Sequence, residues 1–307
     1  MKLEDPIIFS TQSYEYLMKA ISDIGNFEEG KIERKIFPDG ELYHRIIPSL
    51  VDRDVVLIGG TVSDSDTLEI YDLGCAMVKY GAKTLTIIMP YYGYSTMERA
   101  IKSGEVVTAK TRARLFSFIP QSQKGNRIIL LDLHSEGIPH YFEGSVRTVH
   151  LYAKDIILEG IKELAGIEPF VLASTDAGRA KWVESLANEL GVKPSFVFKK
   201  RISGNDTKVL EVNAHVNGFQ VIIYDDMIRT GSSLINAARA YLDAGALKVS
   251  AIVTHGIFPQ DSLKKIEESK LFEKILCTDS HPNALKSENN FLRVKSIASL
   301  MYEYLIS

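Results

Sequence analysis

The stretch VIIYDDMIRTGSSL, residues 221–234, decides the fold. It opens with a continuous apolar run, meets two successive carboxylates at Asp225 and Asp226, and turns through Arg229, Thr230 and Gly231 into Ser232 and Ser233. A strand covered on both faces of a parallel sheet reads as a continuous apolar run rather than as an alternation. Beyond the turn, Leu234, Ala237, Ala238, Tyr241 and Leu242 fall on one helical stripe, which Gly245 closes. Strand, glycine turn and helix in that order predict half of a βαβ unit.

Working outward, the same alternation fills the chain. Strands are predicted at 54–60, 84–92, 127–134, 170–175, 195–200, 219–226, 248–258 and 274–279, and helices at 66–80, 108–118, 152–165 and 179–190. The expected fold class is therefore α/β, with mainly parallel sheets flanked by helices and right-handed crossovers. At 307 residues the chain exceeds the usual size of a single domain. The segments ILLDLHSEG and VIIYDDMIRTG share a pattern of strand, acidic end and loop, which suggests two related domains. They are expected at 1–150 and 151–292, with the terminal segment 293–307, containing SIASLMYEYLI, packing back on the first.

Composition narrows the function classes. A content of 45% hydrophobic and 24% charged residues is that of a globular enzyme with material for two cores. The formal net charge of -3 offers no basic surplus for nucleic acid or a membrane surface. No apolar run approaches the roughly 20 residues that span a bilayer, and MKLEDPIIFS has no signal-peptide core, so a cytoplasmic protein is expected. The two cysteines, Cys75 and Cys277, are far apart in apolar stretches and read as reduced core residues.

The turn itself carries chemistry. Gly231 permits a tight backbone turn, so that the amides of residues 230–233 and the hydroxyls of Thr230, Ser232 and Ser233 form a cradle for a phosphate at a helix N-terminus. Asp225 and Asp226 are placed to accept hydrogen bonds from sugar hydroxyls. An ordinary strand, turn and helix with a capping serine is the plain alternative, but two acids ending an apolar strand are costly without a ligand or a cation.

The order of apolar run, two acids, two apolar residues and Thr-Gly resembles the phosphoribosyl-binding signature of type I phosphoribosyltransferases. From about residue 30 onward the layout is similar to that of ribose-phosphate pyrophosphokinases. The resemblance rests on FPDGE (37–41), YYGY (91–94), TAK (108–110), LDLHSE (131–136), STDAG (174–178), KKR (199–201), DDMIRTG (225–231) and THGIF (254–258), in that order. It implies two phosphoribosyltransferase-type domains and a magnesium-dependent enzyme that moves the pyrophosphoryl group of ATP to the anomeric hydroxyl of ribose 5-phosphate, releasing AMP.

Residue by residue, the resemblance implies magnesium at His134 and Asp176 and a catalytic Lys-x-Arg pair at Lys199 and Arg201. It implies ATP contacts from Phe37, Asp39 and Glu41 and, further along the chain, from Arg99 and Lys102. The acceptor ribose-phosphate would be held by Asp225, Asp226, Arg229, Thr230, Gly231, Ser232 and Ser233. In the family the FPDGE loop serves a neighbouring subunit, so a homo-oligomer, dimer or hexamer, is implied. His255 and Cys277 read as structural.

The chain also departs from the family. Thr96 and Met97 stand where Arg-Gln is usual, Glu105 replaces an arginine, Arg179 replaces a glycine after Asp176, and Trp182 replaces another arginine. Arg229 stands where the family has Asp, reversing a charge beside the cradle. Three readings are open: a non-catalytic regulatory homologue with a decayed site, an arginine turned to solvent, or an acceptor more negative than ribose 5-phosphate. ADP-ribose is such an acceptor, because its second phosphate suits a bidentate guanidinium. A phosphoribosyltransferase proper would not need the first domain.

Overall fold

The computed structural model describes residue 3 and residues 5–201, 207–212 and 215–307; for 177, 198–201 and 207–211 the description stops at the backbone. The chain divides into two units, Met1–Tyr152 with Ile297–Ser307, and Ala153–Ser296.

The first unit contains β1 (Ile7–Ser10), α1 (Glu15–Gly25), β2 (Glu28–Glu29), a hairpin of β3 (Ile32–Ile36) and β4 (Leu42–Ile46), β5 (Asp54–Ile58), α2 (Asp64–Lys79), β6 (Thr84–Met89), α3 (Thr108–Ser117), β7 (Asn126–Leu131) and β8 (Arg147–Leu151). Six strands form a parallel sheet in the order β2-β1-β5-β6-β7-β8. Every residue of β5 and β6 is buried, which is why DVVLI and TLTIIM show no polar alternation.

The second unit runs through α4 (Lys154–Ala165), β9 (Phe170–Ser174), α5 (Ala180–Leu190), β10 (Pro194–Ser195), β11 (Val197–Arg201), β12 (Thr207–Val212), β13 (Gln220–Ile228), α6 (Ser232–Asp243), β14 (Lys248–Gly256), α7 (Ser262–Glu268), β15 (Ile275–Thr278), α8 (Pro282–Ser287) and β16 (Leu292–Lys295). Its six-stranded parallel sheet has the order β10-β9-β13-β14-β15-β16. The two sheets share one topology. In each, the second strand lies outside the first, the remaining four follow on the other side, and an antiparallel ribbon is inserted between the second and third. Strand order therefore reverses between β1 and β5 in one unit and between β9 and β13 in the other.

Several boundaries differ from expectation, among them β6 and β7, which end at Met89 and Leu131 rather than at 92 and 134, and three more bear on the site or on the division into units. Residues 195–200 do not form one sheet strand: Pro194–Ser195 edges the sheet, and from Val197 the chain pairs antiparallel with β12, since a Lys-Lys-Arg run is unsuited to a covered strand. β13 continues two residues past Asp226, so the acid pair lies within the strand rather than at its end. The return to the first unit begins at Ile297, not 293, because Leu292–Lys295 is a sheet strand.

After that return, α9 (Ala298–Ile306) packs on α1. The Phe27 and Tyr302 rings lie 5.8 Å apart, and the Arg127 guanidinium stands 5.4 Å over Tyr304. Both cysteines are free thiols, Cys277 buried and Cys75 partly so. Among the described residues no helix is long and apolar enough to cross a membrane.

In the second unit the helical stripe read from the sequence is buried as Leu234, Ala237, Ala238 and Tyr241 of α6. Tyr241 is fully buried, and its hydroxyl donates to the carbonyl of Ser174 at 2.9 Å, fastening α6 to the last residue of β9. Tyr241→Phe leaves that buried carbonyl without its donor, and we expect a loss of about 1–2 kcal/mol in urea unfolding. An unchanged midpoint would show that the bond contributes nothing net.

Candidate functional site

The carboxyl edge of an open α/β sheet, where strand order reverses, is where such folds take ligands. In the second unit this point lies between β9 and β13, and the side chains that follow these two strands meet there. Thr175, one residue past β9, donates its hydroxyl to Asp225 Oδ2 at 2.8 Å. Asp225 Oδ1 accepts the backbone N–H of Asp226 at 2.9 Å. Arg179, at the start of α5, places Nη2 2.5 Å from Asp226 Oδ2, with only 4% of the Asp226 side chain exposed.

This packing raises the Asp225 carboxyl from an ordinary 3.8 to about 7, first through burial and then through the charge of Asp226 alongside. Asp176 is half-buried one residue beyond Thr175, and its Oδ1 accepts the Gly178 N–H at 2.8 Å, which orients the carboxylate.

Three residues past β13 begins the turn. Gly231 has φ +79°, and a Cβ there would stand 2.5 Å from Ile266 Cδ1, so both the backbone angle and the space require glycine. Gly231 is the N-cap of α6 and supplies no side-chain cap. The amides of the first turn are thus left for a ligand. Ser232 and Ser233 are exposed, and the hydroxyls of Thr230 and Ser232 lie 3.3 Å apart. Arg229 and Thr230 are exposed beside them. All seven expected acceptor residues are therefore gathered in one unit, together with Asp176.

The remaining expected residues belong to the first unit or lie outside the description. Phe37, Asp39 and Glu41 form the tip of the β3–β4 hairpin. The Phe37 N–H donates to the Glu41 carbonyl at 2.9 Å, the Glu41 N–H donates to Asp39 Oδ1 at 3.1 Å, and the Phe37 ring meets Tyr43 edge-on at 6.1 Å. Arg99 and Lys102 lie on the exposed loop between Gly93 and α3, where Arg99 pairs with Glu98 at 3.4 Å. Glu105, the residue in place of an arginine, folds this loop on itself by accepting the N–H groups of Ile101 and Lys102 at 2.7 and 3.0 Å. His134 is exposed three residues past β7. Lys199 and Arg201 belong to β11 by backbone, but their side chains lie outside the described residues, as do residues 202–206 after them.

Among the described residues no cluster of three or more His, Cys, Asp or Glu is placed to hold a metal. Asp176, whose carboxylate is oriented by the Gly178 N–H, could contribute to a site for magnesium, an ion that takes only one or two protein carboxylates. Two contributors were missed in the sequence, Thr175 and Arg179. The only signal for Arg179 was a charged side chain where the resembling family has glycine. His255 is buried, with Nδ1 2.8 Å from Ser280 Oγ, as expected of a structural histidine.

The ionisation of Asp225 has a consequence for stability. The folded chain holds a proton on Asp225 up to about pH 7, whereas the unfolded chain releases it near 3.8. Stability from this group therefore falls as pH rises between those values and stays lowered above them. Asp225→Asn is expected to raise the melting temperature more at pH 8 than at pH 5. An equal effect at both would mean that Asp225 titrates normally.

Residues 6–119 match the family model described as the N-terminal domain of ribose phosphate pyrophosphokinase, and residues 185–305 match the phosphoribosyl synthetase-associated domain. The chain is 31% identical to the ribose-phosphate pyrophosphokinase of Mycoplasma genitalium, over 98% of its own length and 90% of the relative's. It is 34% identical to that of Chlorobaculum tepidum, over 83% of this chain and 76% of the relative. In fold it is similar to the crystal structure of phosphoribosylpyrophosphate synthetase from Mycobacterium smegmatis, with a TM-score of 0.86 over 98% of each chain at 24% identity.

Proposed function

Because the chain belongs to the ribose-phosphate pyrophosphokinase family, we propose that it transfers the β,γ-pyrophosphoryl group of ATP to the anomeric hydroxyl of ribose 5-phosphate, giving phosphoribosyl pyrophosphate and AMP. The observation that carries this reading within the molecule is the meeting of the acid pair with the glycine-turned cradle at one end of β13. The 5-phosphate sits on the amides and hydroxyls of Thr230 to Ser233, and the ribose hydroxyls donate to the carboxylate pair. Held at both ends, the sugar presents its anomeric oxygen in a fixed orientation. That oxygen attacks the β-phosphorus, the bond from the β-phosphorus to the α-β bridging oxygen breaks, AMP leaves with that bridging oxygen, and the proton of the anomeric hydroxyl passes to solvent.

Lys199 and Arg201 supply fixed positive charge to the transferring group, where charge on its oxygens is redistributed. Phe37, with Asp39 and Glu41, receives adenine, and Arg99 and Lys102 meet the phosphate chain. His134 and Asp176 are the residues that would hold magnesium, which would supply neutralising charge to the phosphates. The hairpin serves a neighbouring subunit, making the enzyme a homo-oligomer, dimer or hexamer, of the cytoplasm.

Arg229 favours a second reading, in which the acceptor is ADP-ribose and the product ADP-ribose pyrophosphate. Arg229 is an exposed residue two positions before Gly231, and a guanidinium suits an additional phosphate. The deciding measurement is AMP release from ATP and magnesium with ribose 5-phosphate and ADP-ribose tested side by side. Turnover with ribose 5-phosphate is expected; turnover confined to ADP-ribose would make Arg229 a specificity residue. Nucleotide binding without AMP release from either would make the chain a non-catalytic homologue. Lys199→Ala is expected to lower kcat by at least ~100-fold, and full turnover in that variant would remove Lys199 from the mechanism.

A further inference from the structure

The transfer chemistry does not by itself require the pairing of Arg179 with Asp226. Arg179 occupies the N-cap of α5, so the start of a helix fixes its backbone. Its side chain is 23% exposed and that of Asp226 4%, at a separation of 2.5 Å. Asp225, the preceding residue of the same strand, accepts the Thr175 hydroxyl and the Asp226 backbone N–H, and its carboxyl also meets that of Asp226. The Arg179 guanidinium therefore pairs directly with Asp226 and also faces Asp225 through its charge, while the Thr175 hydroxyl is the donor particular to Asp225.

Two adjacent buried carboxylates can be made tolerable in three ways: a shared proton, a divalent cation, or a protein cation. The third is built into this chain, through a guanidinium on the loop across the point of strand reversal.

We infer that Arg179 is a positioning residue, the built-in counter-cation of the acceptor site, which holds Asp226 as an oriented anion and leaves Asp225 to accept the ribose hydroxyls. This rests on the pyrophosphokinase reading only for the identity of the acceptor as a phosphorylated ribose. A consequence is that acceptor binding needs no divalent cation at the acid pair. With the guanidinium removed, that neutralising role passes to magnesium.

The test is calorimetric binding of ribose 5-phosphate to the full chain at low and high free magnesium, with α,β-methylene-ATP filling the donor site. It is run beside KM and kcat for AMP release. Arg179→Gln is expected to weaken binding and raise the acceptor KM on the order of 10- to 100-fold at low free magnesium, with a smaller change in kcat. Excess magnesium should recover much of the loss, and Arg179→Lys should bind within a few-fold of the parent. A fall in kcat at constant acceptor affinity, no change in affinity, or no rescue by lysine would each overturn the inference.

If Arg179→Gln fails to fold, Arg179→Gln/Asp226→Asn removes the buried unpaired charge and carries the test. It should bind ribose 5-phosphate better than Asp225→Asn does, and the reverse ranking would overturn the division of roles. A parent chain that binds ribose 5-phosphate but releases no AMP would refute the pyrophosphokinase reading and leave Arg179 in its role. A parent chain that binds none would refute the inference.

Discussion

Two carboxylates in succession near the end of a buried strand are the constraint around which the second unit is built. Unit charges about 4 Å apart repel by roughly 4 kcal/mol at an effective dielectric of about 20, and burial adds a desolvation cost to each. The surroundings of Asp225 and Asp226 answer that cost locally. α5 begins where it delivers Arg179 to one acid, and the residue after β9 delivers the Thr175 hydroxyl to the other. Tyr241 of α6 binds the carbonyl of Ser174, immediately before Thr175. The strands on either side of the reversal and the helices that follow them are thus tied to each other through the groups that also make the site.

The first unit shows what the same topology does with a different edge. At the reversal between β1 and β5, the Arg34 guanidinium from the hairpin donates to the Ser10 carbonyl at 2.6 Å and to Glu69 Oε1 of α2 at 2.9 Å, and it reaches Glu15 of α1 at 3.4 Å. α2 is capped by its own Ser63, whose hydroxyl accepts the Asp66 N–H at 3.1 Å. α6 begins instead at Gly231, with no side-chain cap. A helix whose first amides are answered by its own serine has less to offer an anion than one that begins at a glycine. The two units therefore differ in use through a few residues after the third sheet strand, not through architecture.

Much of the fold was legible because buried parallel strands write themselves as apolar runs and helices as stripes, and both kinds of signal are strong in DVVLI, TLTIIM and the α6 segment. What the sequence hid were the short or mixed elements. β8 (RTVHL) and β16 (LRVK) interrupt their apolar residues with Arg, Thr, His or Lys, and the β3–β4 hairpin is polar along much of its length. The cradle was legible because glycine at φ +79° and the hydroxyls around it are local in sequence. The Arg179 pair was not, because 46 intervening positions separate it from Asp226 and only strand order brings the two together. For Lys199 and Arg201 the placement concerns the backbone of β11 alone.

The two arginines that depart from the family pattern pose different physical problems. Arg179 is largely covered, and a covered guanidinium needs a carboxylate, which Asp226 supplies. Its presence is therefore tied to the acid pair: removing Arg179 strands the Asp226 carboxylate at 4% exposure, whereas removing Asp226 leaves a guanidinium still 23% exposed. Arg229 is exposed at the rim of the cradle, where water and salt screen its charge. The heavy cost of reversing a charge in a buried site does not arise there, so a site with Arg229 need not be a failed one. A screened cation at the mouth of an anion cradle acts mainly on how a negative acceptor approaches and which one is preferred. A cation paired to the acid pair, as Arg179 is to Asp226, acts instead on the geometry of the carboxylates proposed to grip the sugar.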